Sequence, residues 1–319
     1  MGNDFEASIE PGVLDLLSRH VLGGVQVVDE RRLTGGFSSD NVLLRTNQGA
    51  SFVLRRYPRR NTCAVEAALM RLVADRIPAP EVVYADNDGS VLGEPFILTR
   101  FVSGVPLTAV FAGSDEEDGA QLGEILGETL AAISSVRFGR PGFFADGDLH
   151  LDADPPEHHD DLPAFVEGCL ARGNAAAALS AAEQRALVKL AADNAPLVAE
   201  TSDADHLVHS DFNAKNVLLR PGNGRWRVSA VLDWEYAFSG SPLFDVGNML
   251  RFPQELPPGF GRRFPLAYQE MGGPLPERWK EMSEALELFA LSDLLTRSAD
   301  HPLFAKAVTV LRRRISGHI

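Results

Sequence analysis

The 319-residue chain reads as an α+β protein in two parts, a small β-rich part over residues 1–102 and a larger helical part over 103–319. Three observations predict this. Short apolar runs separated by turn residues fill most of the first part, apolar residues at helical spacing dominate the second, and the one strong β pattern of the second is an isolated hairpin.

The first part opens with a helix over "PGVLDLLSRHVL". Val13, Leu14, Leu17 and Val21 recur at helical spacing behind Pro11. Three strands come next, in "VQVVDERRL", "NVLLRT" and "SFVLRRY", with "GGFSSD" after the first and a turn at Asn47–Gly49 between the others. "CAVEAALMRLVAD" is a helix with Val65, Leu69, Leu72 and Val73 on one face. "EVVYAD" and "PFILTRFV" complete the sheet around an "NDG" turn. In the second part helices are expected over Ala120–Ser135, Ala164–Arg172, Ala181–Ala192 and Trp279–Ser298.

Composition narrows the function. With 44 acidic against 30 basic residues the formal charge is −14. This argues against nucleic acid as a partner, because such binding depends on basic residues that neutralise phosphates. Cys63 and Cys169 stand far apart with no CxxC, which indicates neither a disulfide framework nor a zinc site and makes a reducing cytoplasm the expected location. The acidic start "MGNDFEASIE" lacks the apolar core of a secretory leader, and no apolar run is long enough to span a membrane. Oligomeric state is not legible.

The chemistry concentrates in "LVHSDFNAKNVLL" and the hairpin that it opens. Val217–Leu219 and Val228–Leu232 are apolar runs joined by Pro221, Gly222, Asn223 and Gly224, a strong hairpin signal. Asn216 enters the first strand and Asp233 leaves the second, so the two should lie side by side. Asp211, five residues before Asn216, is expected to fold over the same end with His209 behind it. Two carboxylates and an amide oxygen suit Mg²⁺, which completes its shell with water and substrate phosphates.

The spacing of His209, Asp211 and Asn216, with Asp233 after a hairpin, resembles the catalytic loop and metal aspartate of kinase-like phosphotransferases. "LVHSDFNAKNVLL … VLDWEYAFSGSPLFDVGNMLR" is similar to the aminoglycoside phosphotransferase family, which also holds choline, homoserine and fructosamine kinases. The resemblance runs from about residue 25 to 300 and is specific in this central block. It implies a bilobal protein-kinase-like fold, with a small antiparallel sheet and one main helix in the N-lobe and a mainly helical C-lobe.

It further implies a phosphate loop at Gly35, Gly36, Ser38 and Ser39. It places the phosphate-pairing cation at Arg55, where Lys is usual, and that cation's acidic partner at Glu66. The hinge whose backbone meets the nucleotide base falls at Arg100, Phe101 and Val102, with Gly104 turning the chain into the C-lobe. Asn216 and Asp233 are implied as Mg²⁺ ligands, Asp211 as catalytic base, His209 as the shaper of its loop and Asp245 as a brace. The expected activity is transfer of the γ-phosphate of ATP or GTP to a hydroxyl of a small molecule. That acceptor is expected to be an aminoglycoside or other amine-bearing alcohol, drawn by Glu157, Asp160, Asp161 and Glu235, unless those acids merely solvate the surface. Two alternatives remain open: a nucleotide-binding regulatory protein without turnover, and another small-molecule kinase of choline, homoserine or sugar type. A metal-dependent phosphoesterase is a further option, but it leaves the glycine loop, Arg55 and Glu66 without a job.

Taken singly, these residues have blander explanations. His206 and His209 form an H-x-x-H with no acidic third ligand at helical spacing, so zinc is not expected. His158 and His159 sit in an acidic, proline-rich loop and are expected to be solvated. Asn213 stands where protein kinases place a lysine, which argues against ordinary protein substrates.

Overall fold

The computed structural model describes residues 9, 11–33, 40–153 and 160–318. In chain order the elements begin with α1 (Pro11–His20), β1 (Val27–Arg32), β2 (Asp40–Thr46), β3 (Ser51–Arg56), α2 (Cys63–Val73), β4 (Val82–Asp86) and β5 (Phe96–Arg100). Next come β6 (Val105–Pro106), α3 (Leu107–Phe111), α4 (Glu116–Ser134), β7 (Gly142–Phe143), α5 (Leu162–Arg172), α6 (Ala181–Ala199) and β8 (His206–Val208). The rest are β9 (Val217–Gly222), β10 (Arg225–Val231), β11 (Phe238–Gly240), α7 (Leu243–Leu250), α8 (Phe260–Glu270), α9 (Trp279–Leu294) and α10 (Pro302–His318).

The described residues form two compact units. One contains the chain up to Leu107 together with Phe144–His150 and Lys215–Tyr236. The other contains Thr108–Phe143, Leu151–Ala214 and the chain from Ala237 onward.

The first unit is built on a five-stranded antiparallel sheet of order β1-β2-β3-β5-β4. Side chains alternate across it. Val42, Leu44, Phe52, Leu54, Phe96 and Leu98 form one apolar face, closed by Ile9 and by Leu17 of α1. Arg55, opposite Asn41 and Ile97 in the register, has the other parity and faces away from that cluster. The second sheet of this unit is the hairpin β9–β10 flanked by β6. Its turn pairs Gly222 with Arg225, and Asn223 and Gly224 both adopt positive φ, 21° and 78°. That geometry matches the twist of the flanking strands and explains the Asn-Gly pair. Gly104 serves close approach rather than a turn. A Cβ there would stand 2.6 Å from Ser229 Oγ and 2.9 Å from Leu218 Cβ, against the hairpin.

The second unit is mainly helical, with one small sheet of order β7-β11-β8. Its main core gathers residues of α5, α6, α9 and α10, among them Val166, Leu187, Leu291 and Leu311. A second contact joins α4 to α8. Gly119, Gly123 and Gly127 recur every four residues along α4, and added Cβ atoms at 123 and 127 would meet the α8 backbone at 2.9 and 2.5 Å. The stripe lets the two helices approach backbone to backbone. Helix α8 lies outside the sequence expectation, because Gly261 and the interior Pro265 break its local signal. Tertiary packing of the buried Phe260, Phe264 and Tyr268 outweighs that cost. The C-terminal α10 also lies outside the sequence expectation, although Phe304, Val308, Leu311 and Ile315 recur at helical spacing, and α6 continues to Ala199, past the expected Ala192. Among the described residues no helix is long and apolar enough to cross a membrane.

Candidate active site

In the first unit β3 carries Arg55 to the side on which α2 places Glu66. Glu66 Oε2 lies 3.1 Å from Arg55 Nε, and the carboxylate is buried. The other end of the guanidinium meets the segment after β10. Arg55 Nη2 donates to Asp233 Oδ1 at 2.7 Å and lies 3.2 Å from Glu235 Oε2. Tyr57 OH donates to Glu66 Oε2, and the Tyr57 ring lies under the guanidinium with its centroid 5.6 Å away. One guanidinium thus faces three carboxylates. Burial works against its charge, but Glu66, Asp233 and Glu235 more than offset this and raise the Arg55 pKa further. Burial pushes the Glu66 carboxyl up to about 7; Arg55 opposes the shift, while Asp233 and Glu235 add to it.

The hairpin aligns the two expected metal ligands. Leu232 N–H donates to Asn216 O at 2.8 Å, so the residue entering β9 and the residue after Leu232 stand at the same end. Asp233 itself has φ 70°, in the left-handed region where a non-glycine residue is strained. Trp234 beside it is fully buried and donates its indole N–H to Val231 O at 3.2 Å. The strain therefore sits where the chain turns both acids of Asp-Trp-Glu toward Arg55.

In the second unit the loop after β8 is held by α7. Asp245, in the first turn of that helix, accepts the His209 N–H at Oδ2 (2.7 Å) and the Ser210 N–H at Oδ1 (2.8 Å). Asn248 Nδ2 donates to Ser210 O at 2.8 Å. Ser210 has φ 70°, so α7 grips this strained residue at both its N–H and its carbonyl. The buried His209 accepts the Asp211 N–H at Nδ1 (3.2 Å), which fixes that nitrogen as the unprotonated one. Asn213 Nδ2 donates to Asp211 Oδ1 at 2.6 Å and holds the carboxylate in place. Next to the end of α7, Arg251 makes a bidentate, buried pair with Glu287 of α9.

Asp245 is fully buried, and burial pushes its carboxyl up to about 7 from 3.8 despite the N–H donors it accepts; the charge of Asp211 adds to the shift. A raised acid pKa means that the folded chain keeps a proton the unfolded chain has already released. Its stabilising contribution is full below 3.8 and is lost as pH rises through about 7. Thermal unfolding should therefore shift to higher temperature as pH is lowered from about 8 to about 5.5. Asp245→Asn should make that dependence shallower, leaving the part that Glu66 contributes, and an equally steep curve in the variant would contradict the assignment.

Arg56 is engaged elsewhere, with Glu94 and with Asp40 at 3.8 Å, so it is Arg55 that reaches Glu66. In the segment expected to form the hinge, Arg100 N–H donates to Glu81 O and Phe101 N–H to Ser51 O, at 2.9 and 3.0 Å. Those two donors are used inside the first unit, which leaves Val102 as the hinge amide to consider. Gly35, Gly36, Ser38 and Ser39 lie outside the described residues, as do Glu157, His158 and His159. Among the acids considered for substrate capture, Asp161 caps α5 by accepting the Ala164 N–H, and Glu235 belongs to the first unit, bound to Arg55. His206 Nδ1 pairs with Ser134 O at 2.6 Å.

Tyr57, Asn248 and the Arg55 contact of Glu235 are not among the expected site features. Tyr57 has a readable signal, since it stands two residues beyond Arg55 with strand parity. Asn248 has a fainter one, three residues after Asp245 on a helix.

The profile of the phosphotransferase enzyme family matches residues 29–282. The chain belongs to that family. Acyl-CoA dehydrogenase family member 11 of Gallus gallus is 35% identical over 247 residues, which are 70% of this chain and 28% of that protein. Acyl-CoA dehydrogenase family member 10 of Mus musculus is 25% identical over 191 residues, 59% of this chain and 16% of that protein. This phosphotransferase-family chain thus spans less than a third of the curated relatives it matches.

In fold it is similar to aminoglycoside phosphotransferase APH(4)-Ia, solved as a thermostable mutant with AMP-PNP and hygromycin B. The TM-score is 0.69 at 20% identity, over 96% of this chain and 98% of that one. The streptomycin–ATP–APH(2")-IIa complex matches at a TM-score of 0.62 and 17% identity, over 95% and 98%. The fold class is therefore the α+β kinase-like one, with the five-stranded antiparallel sheet in its N-terminal part and helices dominating the C-terminal part.

Proposed function

We propose that this chain is a Mg²⁺-dependent phosphotransferase that moves the γ-phosphoryl group of ATP or GTP to a hydroxyl of a small molecule. The observation that carries the proposal is Arg55, charged and held between Glu66 and Asp233 from a point 178 residues away in sequence. A buried cation with that many acidic partners needs a reason beyond stability, since buried ion pairs seldom repay their desolvation. An anionic phosphate bound at its remaining face supplies one. The nucleotide complexes of the similar phosphotransferases support the choice of donor.

The donor set fits a hard divalent cation. Three carboxylates against one guanidinium leave negative charge in excess, and Asn216 and Asp233 offer oxygen at one end of the hairpin. Mg²⁺ held there would neutralise charge on the donor phosphates. The chain's own residues would do the rest. Arg55 binds the α/β-phosphates, and Asp211, steadied by Asn213, orients the acceptor hydroxyl. The bond from the γ-phosphorus to the acceptor oxygen forms as the bond to the β–γ bridging oxygen breaks, and the hydroxyl proton passes to Asp211. The alcohol becomes acidic only as its new bond forms, so its proton is passed late in the reaction.

The acceptor is proposed as a small alcohol without a commitment to positive charge. The chain's charge of −14 and the hygromycin B and streptomycin of the similar structures support an amine-bearing one. Two of the acids nominated to attract it, Asp161 and Glu235, have other partners. Release of ADP or GDP should require both Mg²⁺ and an acceptor from a panel of small alcohols. Nucleotide binding without release in any acceptor would favour the regulatory alternative, and hydrolysis of simple phosphate esters without nucleotide would favour a phosphoesterase.

A further inference from the structure

The sequence puts arginine where lysine is usual, and the structure shows a consequence. A lysine ammonium is one compact charge that a single glutamate can hold, whereas a guanidinium is a planar fork with donors at both ends. Arg55 Nε lies 3.1 Å from Glu66 Oε2 but makes no aligned hydrogen bond to it or to any other described residue. The same oxygen accepts the Tyr57 hydroxyl. Glu66 therefore neutralises Arg55 without fixing its orientation. The far end is fixed by Nη2, which is shared between Asp233 Oδ1 at 2.7 Å and Glu235 Oε2 at 3.2 Å. Asp233 is the residue proposed to hold the metal, so Mg²⁺ bound there would compete with Nη2 for its carboxylate. Glu235 is more deeply buried than Asp233, with 7% against 26% of its side chain exposed, and stands ready to keep Nη2.

We propose that Glu235 is a positioning residue for the nucleotide site. Its carboxylate holds Arg55 Nη2 when Asp233 turns to the metal, and this allows arginine to serve as the phosphate-binding cation. The inference rests on the phosphotransferase reading. It assigns Glu235 to the protein's own cation rather than to a cationic acceptor or directly to the metal.

A double-mutant cycle tests it. AMP-PNP affinity is measured by calorimetry for the wild type, E235Q, R55K and R55K/E235Q, with Mg²⁺ and again in EDTA. E235Q should weaken binding by about tenfold beside Arg55, because the amide keeps an acceptor oxygen but loses the charge that strengthens its hold on the guanidinium. In the R55K background the same change should cost less than about twofold, because a lysine does not need the second anchor. Because the contact exists without nucleotide, the cycle is also read in the thermal midpoint of the ligand-free chains, which keeps it decisive if R55K binds too weakly to titrate. Should E235Q fold poorly, Glu235→Asp replaces it, with an intermediate loss expected.

Equal losses in both backgrounds, or a loss seen only in EDTA, would overturn the assignment. A wild type that binds neither AMP-PNP nor GMP-PNP in either condition would overturn the phosphotransferase reading itself. A wild type that binds, with an additive cycle, sinks only the role of Glu235.

Discussion

Replacing Asp211 by Asn should lower kcat by about a hundred- to ten-thousand-fold, the range over which a positioned acid or base contributes. Nucleotide affinity should stay within about twofold. The change is close to isosteric and keeps an oxygen that can accept from Asn213, whose amide now donates to Asp211 Oδ1 at 2.6 Å. It keeps the main-chain bond from residue 211 to His209 Nδ1 as well. Only the capacity to take the acceptor's proton is lost. The effect should therefore fall on kcat and leave the nucleotide's binding isotherm nearly unchanged. A variant that keeps half of normal turnover would remove Asp211 from the mechanism.

Asp245→Ala should strongly destabilise the loop after β8. It leaves the N–H groups of His209 and Ser210 without their acceptor. A buried donor left unsatisfied costs about 1–3 kcal/mol, so the pair costs roughly 2–6 kcal/mol. Part of this is returned, because the buried carboxylate no longer has to be desolvated. Ser210, at φ 70°, also loses a contact that stabilises its strained conformation, and of the two α7 contacts only Asn248 still grips that residue. Urea unfolding at about pH 8 should show a loss of more than about 2 kcal/mol for the Ala variant and a smaller one for Asp245→Asn, which retains one acceptor oxygen. An Ala variant as stable as the wild type would mean that the loop holds its shape without α7.

Much of this geometry is legible in the sequence because its signals are local. The hairpin comes from apolar runs around Pro221–Gly224, and the alignment of Asn216 with Asp233 comes from the hairpin. Asp245 can be found because a helix start next to a buried loop is a recurring arrangement that the family resemblance makes specific. The hidden part is set by contacts between distant segments. Nothing near residue 235 announces that its carboxylate meets a guanidinium from β3, and Trp234, buried beside it, gives no sign of which way its neighbours point. The positive φ of Ser210 is equally invisible, since serine carries no preference for that region and the cost is met by α7. The glycine stripe of α4 illustrates the opposite case: its four-residue period is in plain view, but its meaning depends on the backbone of α8 lying against it.

Whether the acids after the hairpin hold a metal on a nucleotide that Arg55 binds is tested most directly by titrating AMP-PNP into the wild type and into Asp233→Asn, each with and without Mg²⁺. The wild type should bind far more tightly when Mg²⁺ is present, and the variant should lose that gain while retaining its metal-free affinity. Equal wild-type affinity in the two conditions, or an undiminished Mg²⁺ effect in Asp233→Asn, would contradict it.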